Sequence, residues 1–303
     1  MVGNLQPTLC AICRKSGDVD ELYPANLNPA AFTTAVFSAR RLPDRLHYRM
    51  VKCRTCGLVR ADPVLPPDEL KVLYQHSSFA YQAEIDHLKH TYGHYLHRLE
   101  RLGVNKGSLL EVGCGNGFFL EEALSQGYAA VKGVEPSQDA ILQANPGIKQ
   151  HINAGLMENG IFEPESFDVI CLFQVLDHLP DPLAVLAECH RLLKKQGFLL
   201  ALNHNINAIS AILFGERSPI IDVEHTYLFS PSTMQQLSEK AGFKVRQQGV
   251  VFNAYSLHYL ARLLPINENH KKALLSIFEK SHLGEISLKY PLGNQYLVGQ
   301  KTG

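Results

Sequence analysis

The hydrophobic positions follow two different periodicities, which divide the 303 residues into three segments. Residues 1–69 are rich in proline and lack a clear period, which predicts a small, loop-rich module. Between residues 70 and 103 apolar side chains recur every three to four positions, and this spacing predicts a helix that ends at Gly103. Residues 70–105 therefore form a helical linker ahead of a larger domain at 106–303.

From Ser108 onward, short apolar runs alternate with helical segments. The predicted strands include "SLLEVG", "AAVKGVE" and "FDVICLF", whose continuous apolar character is typical of a parallel sheet covered on both faces. One helix is predicted from Asp181-Pro182 to Gly197 and another from Ser230-Pro231, since each begins with a capping residue followed by proline. The alternation predicts an α/β fold with a doubly wound sheet.

Composition narrows the class of protein. The 29 Lys and Arg residues equal the 29 Asp and Glu residues in number, so no overall field favours nucleic acid or an anionic membrane. No apolar run approaches the roughly 18 residues of a membrane span. We therefore expect a cytoplasmic protein, in which the seven cysteines are reduced thiols and not disulfides.

The stretch "LLEVGCGNGFFL" places glycines at every second position, Gly113, Gly115 and Gly117. A dinucleotide-binding loop would need glycine where Phe118 stands, and the Gly-Lys-Ser/Thr of a triphosphate-binding loop is absent. Residues without Cβ allow a ligand to approach the backbone between the first strand and the first helix. The alternative is a tight turn that binds nothing.

These residues, Glu111-x-Gly113-x-Gly115-x-Gly117, resemble the first motif of class I S-adenosylmethionine-dependent methyltransferases. Later segments in matching order resemble further family motifs: "GVEPS", "FDVICLFQVLDHLPDP", "RLLKKQGFLL" and "HTYLFSPSTMQQLSEKAGF". The resemblance implies a Rossmann-like sheet of seven strands in the order 3-2-1-4-5-7-6, with "NQYLVGQK" as its antiparallel last strand.

The resemblance also implies cofactor contacts. Glu111 and the three glycines would hold the aminoacyl part of S-adenosylmethionine, and Glu135, followed by Pro136, would accept the ribose hydroxyls. The segment after the fourth strand, including Gln174, would line the methyl-transfer site. Further candidates are apolar contacts to adenine and rings over the sulfonium, although packing in the core also explains these side chains: Leu156, Met157, Tyr74 and Tyr81.

Candidate bases occur in two segments. His178 follows the fourth strand in "QVLDHLPDP", and Glu224 and His225 stand together in "IDVEHTYLFSP". Imidazole transfers protons near neutral pH, and an adjacent carboxylate raises its basicity. The alternatives are a structural role for His178 in its turn and an ordinary polar surface for Glu224 and His225.

Two Cys-x-x-Cys pairs, Cys10/Cys13 and Cys53/Cys56, lie in the proline-rich segment. Two such pairs complete a tetrahedral four-sulfur shell, which predicts a structural zinc ion with no open coordination position. Zinc would also stabilise a segment too small for a core of its own. A redox function is the weaker interpretation because neither pair lies in a thioredoxin-like strand–helix context. The other cysteines, Cys114, Cys171 and Cys189, are expected to be small buried residues.

The combination of a four-cysteine module, a tyrosine-containing linker and the Glu-His pair resembles sugar C-methyltransferases. We therefore expect methylation of a small molecule, such as a sugar or a secondary-metabolite intermediate, at carbon or oxygen. The alternative is an RNA- or protein-modifying methyltransferase that binds its macromolecule through the zinc module, and the nine Lys and Arg against four Asp and Glu in residues 1–60 favour it. The balanced charge of the whole chain argues against a nucleic-acid partner.

Overall fold

A computed structural model describes residues 5–27, 37, 46–79, 85–264, 266–291 and 293–302. The strands are β1 (Val19–Tyr23), β2 (Met50–Cys53), β3 (Val59–Ala61), β4 (Ser108–Val112), β5 (Ala130–Glu135), β6 (Ile152–Ala154), β7 (Phe167–Phe173), β8 (Leu193–His204), β9 (Tyr227–Leu228), β10 (Phe243–Val250), β11 (Asn253–Ser256), β12 (Ser287–Tyr290) and β13 (Asn294–Lys301). The α-helices are α1 (Pro67–Gln75), α2 (Ile85–Arg98), α3 (Phe118–Ser125), α4 (Gln138–Leu142), α5 (Pro146–Lys149), α6 (Pro182–Leu192), α7 (Ile209–Phe214), α8 (Pro231–Lys240), α9 (Leu257–Leu263) and α10 (Glu268–Ser281).

The main sheet has seven strands in the order β10-β13-β8-β7-β4-β5-β6. Strands β6, β5, β4, β7 and β8 pair in parallel, whereas β13 pairs antiparallel with both β8 and β10. Numbered within this sheet, the order is 3-2-1-4-5-7-6, with an antiparallel last strand. The α/β fold and the strand order expected from the sequence are therefore present.

The core lies on both faces of this sheet. Every residue of β7 is buried. Along each central strand, alternate residues belong to two different hydrophobic clusters: Leu110 and Ile170 to one, Leu109 and Val169 to the other. Because successive side chains of a strand point to opposite faces, the two clusters fill the two layers between sheet and helices. The three remaining cysteines are buried in these clusters, as expected: Cys114, Cys171 and Cys189.

Two predicted helix boundaries are wrong. The helix predicted across 70–103 is two helices, α1 and α2, because the chain leaves α1 at His76 and the backbone N–H of Phe79 donates to Asp139 (2.7 Å). The helix that begins at Pro182, capped by Asp181 as expected, ends at Leu192 and not at Gly197. The chain turns directly into β8, with Gln196 at a positive φ of 63°.

The N-terminal segment forms a second, antiparallel sheet in the order β1-β2-β3-β9. Its fourth strand, β9, comes from the larger domain, and Val59 and Arg60 pair with Leu228 and Tyr227. The cysteine loops also pack into the core cluster that contains Leu110 and Phe229. The N-terminal segment and the larger domain are therefore joined by a shared sheet and a shared core.

Between β10 and β13 the structure contains elements that the sequence patterns did not predict, namely α9, α10 and the two-stranded sheet β11-β12. Among the described residues, none of the helices combines the length and the apolar character that spanning a membrane would need.

Candidate functional site

The glycine loop follows β4 at the carboxyl edge of the parallel strands. Gly113, Gly115 and Gly117 have positive φ values of 72°, 55° and 77°, a conformation that residues with a Cβ rarely adopt. A Cβ on Gly113 would lie 2.6 Å from Val175 Cγ2, and one on Gly117 would lie 2.4 Å from Ile148 Cγ2. Conformation and space both require glycine at these two positions.

Glu135 ties this loop to the end of β5. Its carboxylate accepts hydrogen bonds from the backbone N–H groups of Gly115 and Ser137, each at 2.8 Å. Burial raises the pKa of Glu135, and these two backbone donors oppose that shift. The side chain is thereby fixed at the edge of the loop, and each oxygen keeps a second lone pair for a ligand.

Three buried polar atoms near the loop have no hydrogen-bond partner among the described residues: Glu111 Oε2, Asn116 Oδ1 and Gln174 Oε1. A buried polar atom left without a partner costs about 1–3 kcal/mol. Glu111 is only 2% exposed, and its pKa is raised well above the usual range, first by burial and then by the charge of Glu135. A bound cationic or hydrogen-bonding group would relieve these costs.

A cavity of about 350 Å³ opens beside the loop, within the range of ligand pockets. Of the residues predicted to bind a cofactor or to act on a substrate, these line it: Tyr74, Glu111, Gly113, Gly115, Glu135, Pro136, Leu156, Met157, Gln174, His178, Glu224 and His225. Gly117 does not line the cavity; its position is explained by the packing of α3 against Ile148. Tyr81 lies outside the described residues.

The predicted bases lie together at one side of the cavity. The ring centroids of His178 and His225 are 4.8 Å apart, and the Tyr74 hydroxyl is 3.2 Å from His178 Nδ1. His225 Nδ1 lies 2.9 Å from the carbonyl oxygen of Ile220, so this nitrogen donates and Nε2 carries the lone pair. Residues from α1, from the turn after β7 and from the loop before β9 thus meet at one surface.

Comparison with known proteins identifies the family to which the chain belongs. The family described as "Methyltransferase domain" matches residues 84–248, more than half of the chain. The chain belongs to this methyltransferase family. It is an S-adenosylmethionine-dependent methyltransferase, and the glycine loop, Glu111 and Glu135 occupy the edge of the sheet where the family resemblance expects them.

Curated relatives extend the comparison. The methyltransferase is 32% identical over 185 residues to "Ubiquinone biosynthesis O-methyltransferase" of Pseudomonas paraeruginosa, an alignment that spans 55% of this chain and 78% of that protein. The protein of the same name from Saccharophagus degradans is 29% identical over 185 residues, or 56% of this chain and 78% of the relative.

A solved structure shares the fold. It is a chain of the complex between the Haloferax volcanii Trm112 methyltransferase activator and a methyltransferase, with a TM-score of 0.53 and 17% identity over 73% of this chain and 93% of that one. At this identity the likeness concerns the fold alone.

Two polar residues at this edge of the sheet, Asp177 and His204, were not predicted from the sequence, and His204 lines the cavity. Asp177 Oδ2 is 2.7 Å from His204 Nδ1, and Asp177 Oδ1 accepts a hydrogen bond from Asn203 Nδ2 at 2.8 Å. His204 is the last residue of β8 and Asp177 lies just after β7. Polar residues at the carboxyl ends of adjacent parallel strands converge at one edge, and this rule would have found both.

The pKa values of Asp177 and His225, which we place on the imidazole side of the cavity with His178, Glu224 and His204, are both lowered, for different reasons. Burial opposes the charge of Asp177, but His178 and His204 outweigh it and hold the pKa of that carboxyl below its usual range. Burial lowers the pKa of His225, and the neighbouring imidazoles of His204 and His178 lower it further. At neutral pH the site therefore holds an ionised Asp177 beside a neutral His225.

The four cysteines of the N-terminal segment form one cluster. Cys10 Sγ lies 3.3 Å from Cys56 Sγ, Cys13 Sγ lies 3.5 Å from Cys53 Sγ, and all four sulfurs are within 4.8 Å of one another. None is in a disulfide. Four close thiols with no other donor among them fit a tetrahedral zinc shell.

A second group of side chains that could ligate a metal ion lies in the cavity region. One ligand atom each of Asp177, His178 and His225 lies within 4.8 Å of the others.

Proposed function

We propose that this methyltransferase transfers a methyl group to a hydroxyl or an activated carbon of a small molecule. The supporting observation is that one cavity joins the glycine loop and Glu135 to a cluster of imidazoles and carboxylates. A cofactor site with proton-transfer groups beside it suits an acceptor that must lose a proton as it is methylated.

We assign the cofactor end of the cavity to residues around the glycine loop. Glu111, with its buried unpartnered oxygen, would pair with the cationic aminoacyl part, while the second lone pairs of Glu135 would accept the ribose hydroxyls. S-adenosylmethionine supplies a methyl group already activated on a sulfonium. The other residues proposed to line its binding site are Gly113, Gly115, Pro136, Leu156, Met157, Gln174 and Tyr74.

The proposed role of His178, Glu224 and His225 is to bind the acceptor and to form, with the polar groups beside them, the surface at which it loses its proton. Imidazoles fixed by their second nitrogen, as His225 is by Ile220, present a defined lone pair to the cavity. Holding the acceptor in line with the methyl group contributes several kcal/mol to the lowering of the barrier, so positioning matters as much as proton removal.

Two acceptor chemistries are compatible with this arrangement. The curated relatives are named as O-methyltransferases, which favours a hydroxyl acceptor. The four-cysteine module and the Glu224-His225 pair resemble sugar C-methyltransferases, which act on the carbon next to a ketone of a nucleotide-linked sugar. Both acceptors are small molecules, and both require a base.

We propose that the module at residues 1–69 holds a structural zinc ion at Cys10, Cys13, Cys53 and Cys56 and supports the catalytic domain at 106–303. The predicted linker at 70–105 would cover the cofactor site through its described part, since Tyr74 and Tyr92 line the cavity. Because a closed four-sulfur shell has no open position, the zinc takes no part in methyl transfer. Reduced thiols at this site fit the expected cytoplasmic location.

Two measurements test the proposal. Isothermal titration of the zinc-loaded protein with S-adenosylhomocysteine should show one site per chain. Release of S-adenosylhomocysteine should then be followed with protocatechuate as the phenolic acceptor and a nucleotide-linked 4-ketosugar as the carbon acceptor. Turnover with either supports the proposal and selects the chemistry. A folded protein that binds the cofactor but methylates only RNA or protein substrates would overturn it.

A further inference from the structure

The hydrogen bonds of the acceptor side are organised around Asp177. Its carboxylate is 1% exposed, contacts His204 Nδ1 at 2.7 Å and lies 3.8 Å from His178 Nε2. Asn203 donates to the same carboxylate, and the backbone carbonyl of Asp177 accepts from the N–H of Tyr227 at 3.1 Å. A buried anion held from several sides has little freedom to move, so it fixes the ring that it contacts.

His204 is the ring in closest contact with this anion. Asp177 Oδ2 accepts from His204 Nδ1, so in the neutral ring Nε2 carries the lone pair. Nε2 has no hydrogen-bond partner among the described residues, the side chain is 24% exposed, and the residue lines the cavity. A carboxylate–imidazole pair of this kind orients a general base and stabilises the imidazolium that forms when the base takes a proton.

We propose that His204 is the general base of the methyl transfer and that Asp177 is its positioning residue. This inference rests on the proposed function, since it names the group that receives the acceptor's proton. As the acceptor atom forms its bond to the methyl carbon, the carbon–sulfur bond breaks and its electron pair stays on sulfur. The proton of the acceptor moves to His204 Nε2, and the positive charge lost by the sulfonium is then on the imidazolium.

The neighbouring histidines are less suited to this step. His225 has a backbone carbonyl and not a carboxylate at its Nδ1, and its pKa is lowered by burial and by the adjacent imidazoles. Its ring centroid is 4.7 Å from that of His204, so its neutral Nε2 can hold the acceptor beside the base. His178 has the Tyr74 hydroxyl at its Nδ1 and stands farther from Asp177 than His204 does.

The first test measures the protonation of the His204 ring in the Asp177–His204 pair, here called the dyad, and it needs no acceptor. In the zinc-loaded protein bound to S-adenosylhomocysteine and labelled with nitrogen-15 in histidine, the His204 resonances are assigned by their absence in His204→Gln. The dyad requires a neutral ring protonated at Nδ1, with a strongly downfield Nδ1 proton that Asp177→Asn displaces. A ring protonated at Nε2 overturns the proposal.

The second test uses whichever of protocatechuate and the nucleotide-linked 4-ketosugar is methylated. His204→Ala should lower kcat by about 100-fold or more, and added imidazole should restore part of the loss. The affinity for S-adenosylhomocysteine should stay within about twofold, which separates a lost base from a disrupted fold. The control is His97→Ala, whose side chain is 67% exposed on α2.

The outcomes separate this proposal from the proposed function. If an acceptor is methylated and His204→Ala keeps kcat within about threefold of wild type, the base is elsewhere and only the dyad proposal fails. If added imidazole restores turnover in His225→Ala but not in His204→Ala, the base is His225 and again only the dyad proposal fails. A second metal ion per chain that disappears in Asp177→Asn would also overturn the proposal, because Asp177 would then be a ligand. If the protein methylates only RNA or protein substrates, the proposed function fails, and the nitrogen spectrum still decides the proposal on Asp177 and His204.

Discussion

Tyr227 donates its hydroxyl hydrogen to the backbone carbonyl of Leu9 at 2.9 Å, and this bond joins the acceptor side of the cavity to the first cysteine pair. The backbone N–H of the same tyrosine donates to the carbonyl of Asp177. Tyr227 begins β9, the strand that completes the N-terminal sheet, and it lies three residues after Glu224 and two after His225. A direct hydrogen bond therefore connects the segment beside Cys10 to the segment that carries Glu224 and His225.

We expect Cys53→Ser to remove the zinc ion and to destabilise the whole protein. Elemental analysis should find one zinc per chain in the wild type and none in the variant. Since the loops share a core with the catalytic domain, the melting temperature should fall by at least about 5 °C, where 2–4 °C corresponds to 1 kcal/mol in a domain of 150–250 residues.

Thr55→Ser is the matched control for that variant, because it changes an exposed hydroxyl residue within the same turn. It should retain both the metal and the melting temperature. A wild-type protein that is folded and metal-free would contradict the prediction.

His225→Ala should lower turnover by at least about tenfold while leaving the affinity for S-adenosylhomocysteine nearly intact. The reason is that His225 lies among the imidazoles of the cavity, where Ile220 holds its neutral ring and the rings of His178 and His204 are its neighbours. Turnover is measured with whichever acceptor the wild-type protein methylates, and the affinity for S-adenosylhomocysteine is measured by titration. Equal turnover in variant and wild type would make His225 an ordinary loop residue.

Sequence patterns located the glycine loop and Glu135 in the fold, but they did not reveal that Asp177 contacts His204. The glycine loop and Glu135 follow single strands at fixed offsets, so local pattern and fold order together place them. Asp177 and His204 are 27 positions apart and meet only because β7 and β8 are neighbours. Their pairing becomes visible once strand order is combined with the polar residues at the strand ends.

The N-terminal segment illustrates a second limit. Its cysteine spacing predicted a four-sulfur cluster, which the structure brings together. Nothing in the local pattern indicates that β9, a strand of only two residues, would join the N-terminal sheet. The helical periodicity across 70–103 likewise carried no sign of the break after α1, because the contact of Phe79 with Asp139 is a tertiary one.

Glu111→Gln should stabilise the unliganded protein and weaken cofactor binding. The pKa of Glu111 in the folded protein is raised above its ordinary value of 4.5, so its contribution to stability is present below pH 4.5 and is lost as the pH rises through the raised pKa. The amide cannot ionise, so the variant should lose less stability over that range. Its melting temperature at pH 8 should therefore exceed that of the wild type by a few degrees.

The same substitution removes the negative charge proposed to face the cationic aminoacyl group, so the affinity for S-adenosylhomocysteine should fall at least about tenfold, or 1.4 kcal/mol. Wild-type affinity should rise with pH over the range in which Glu111 ionises. Glu239→Gln, on an exposed position of α8, is the control and should change neither quantity. Undiminished affinity in Glu111→Gln would show that this carboxylate faces no charge on the ligand.

Gly113→Ala tests whether cofactor binding requires a residue without a Cβ at this position of the loop. At φ 72° an alanine pays about 1–2 kcal/mol of backbone strain, and its Cβ would stand 2.6 Å from Val175 Cγ2 on the cavity wall. The free energy of unfolding should fall by about that amount, and the affinity for S-adenosylhomocysteine should fall more steeply, by at least about tenfold. Denaturant titration and calorimetry measure the two effects.

Gly147→Ala provides the contrast, since a Cβ there meets no atom within 4 Å and the residue lies in α5 without a positive φ. Alanine at this helical position should be neutral or slightly stabilising, and cofactor affinity should not change. A Gly113→Ala protein that loses stability but binds the cofactor as tightly as Gly147→Ala does would confine the role of the glycine to the turn. Loss of affinity beyond the loss of stability would tie the exposed backbone of the loop to the cofactor itself.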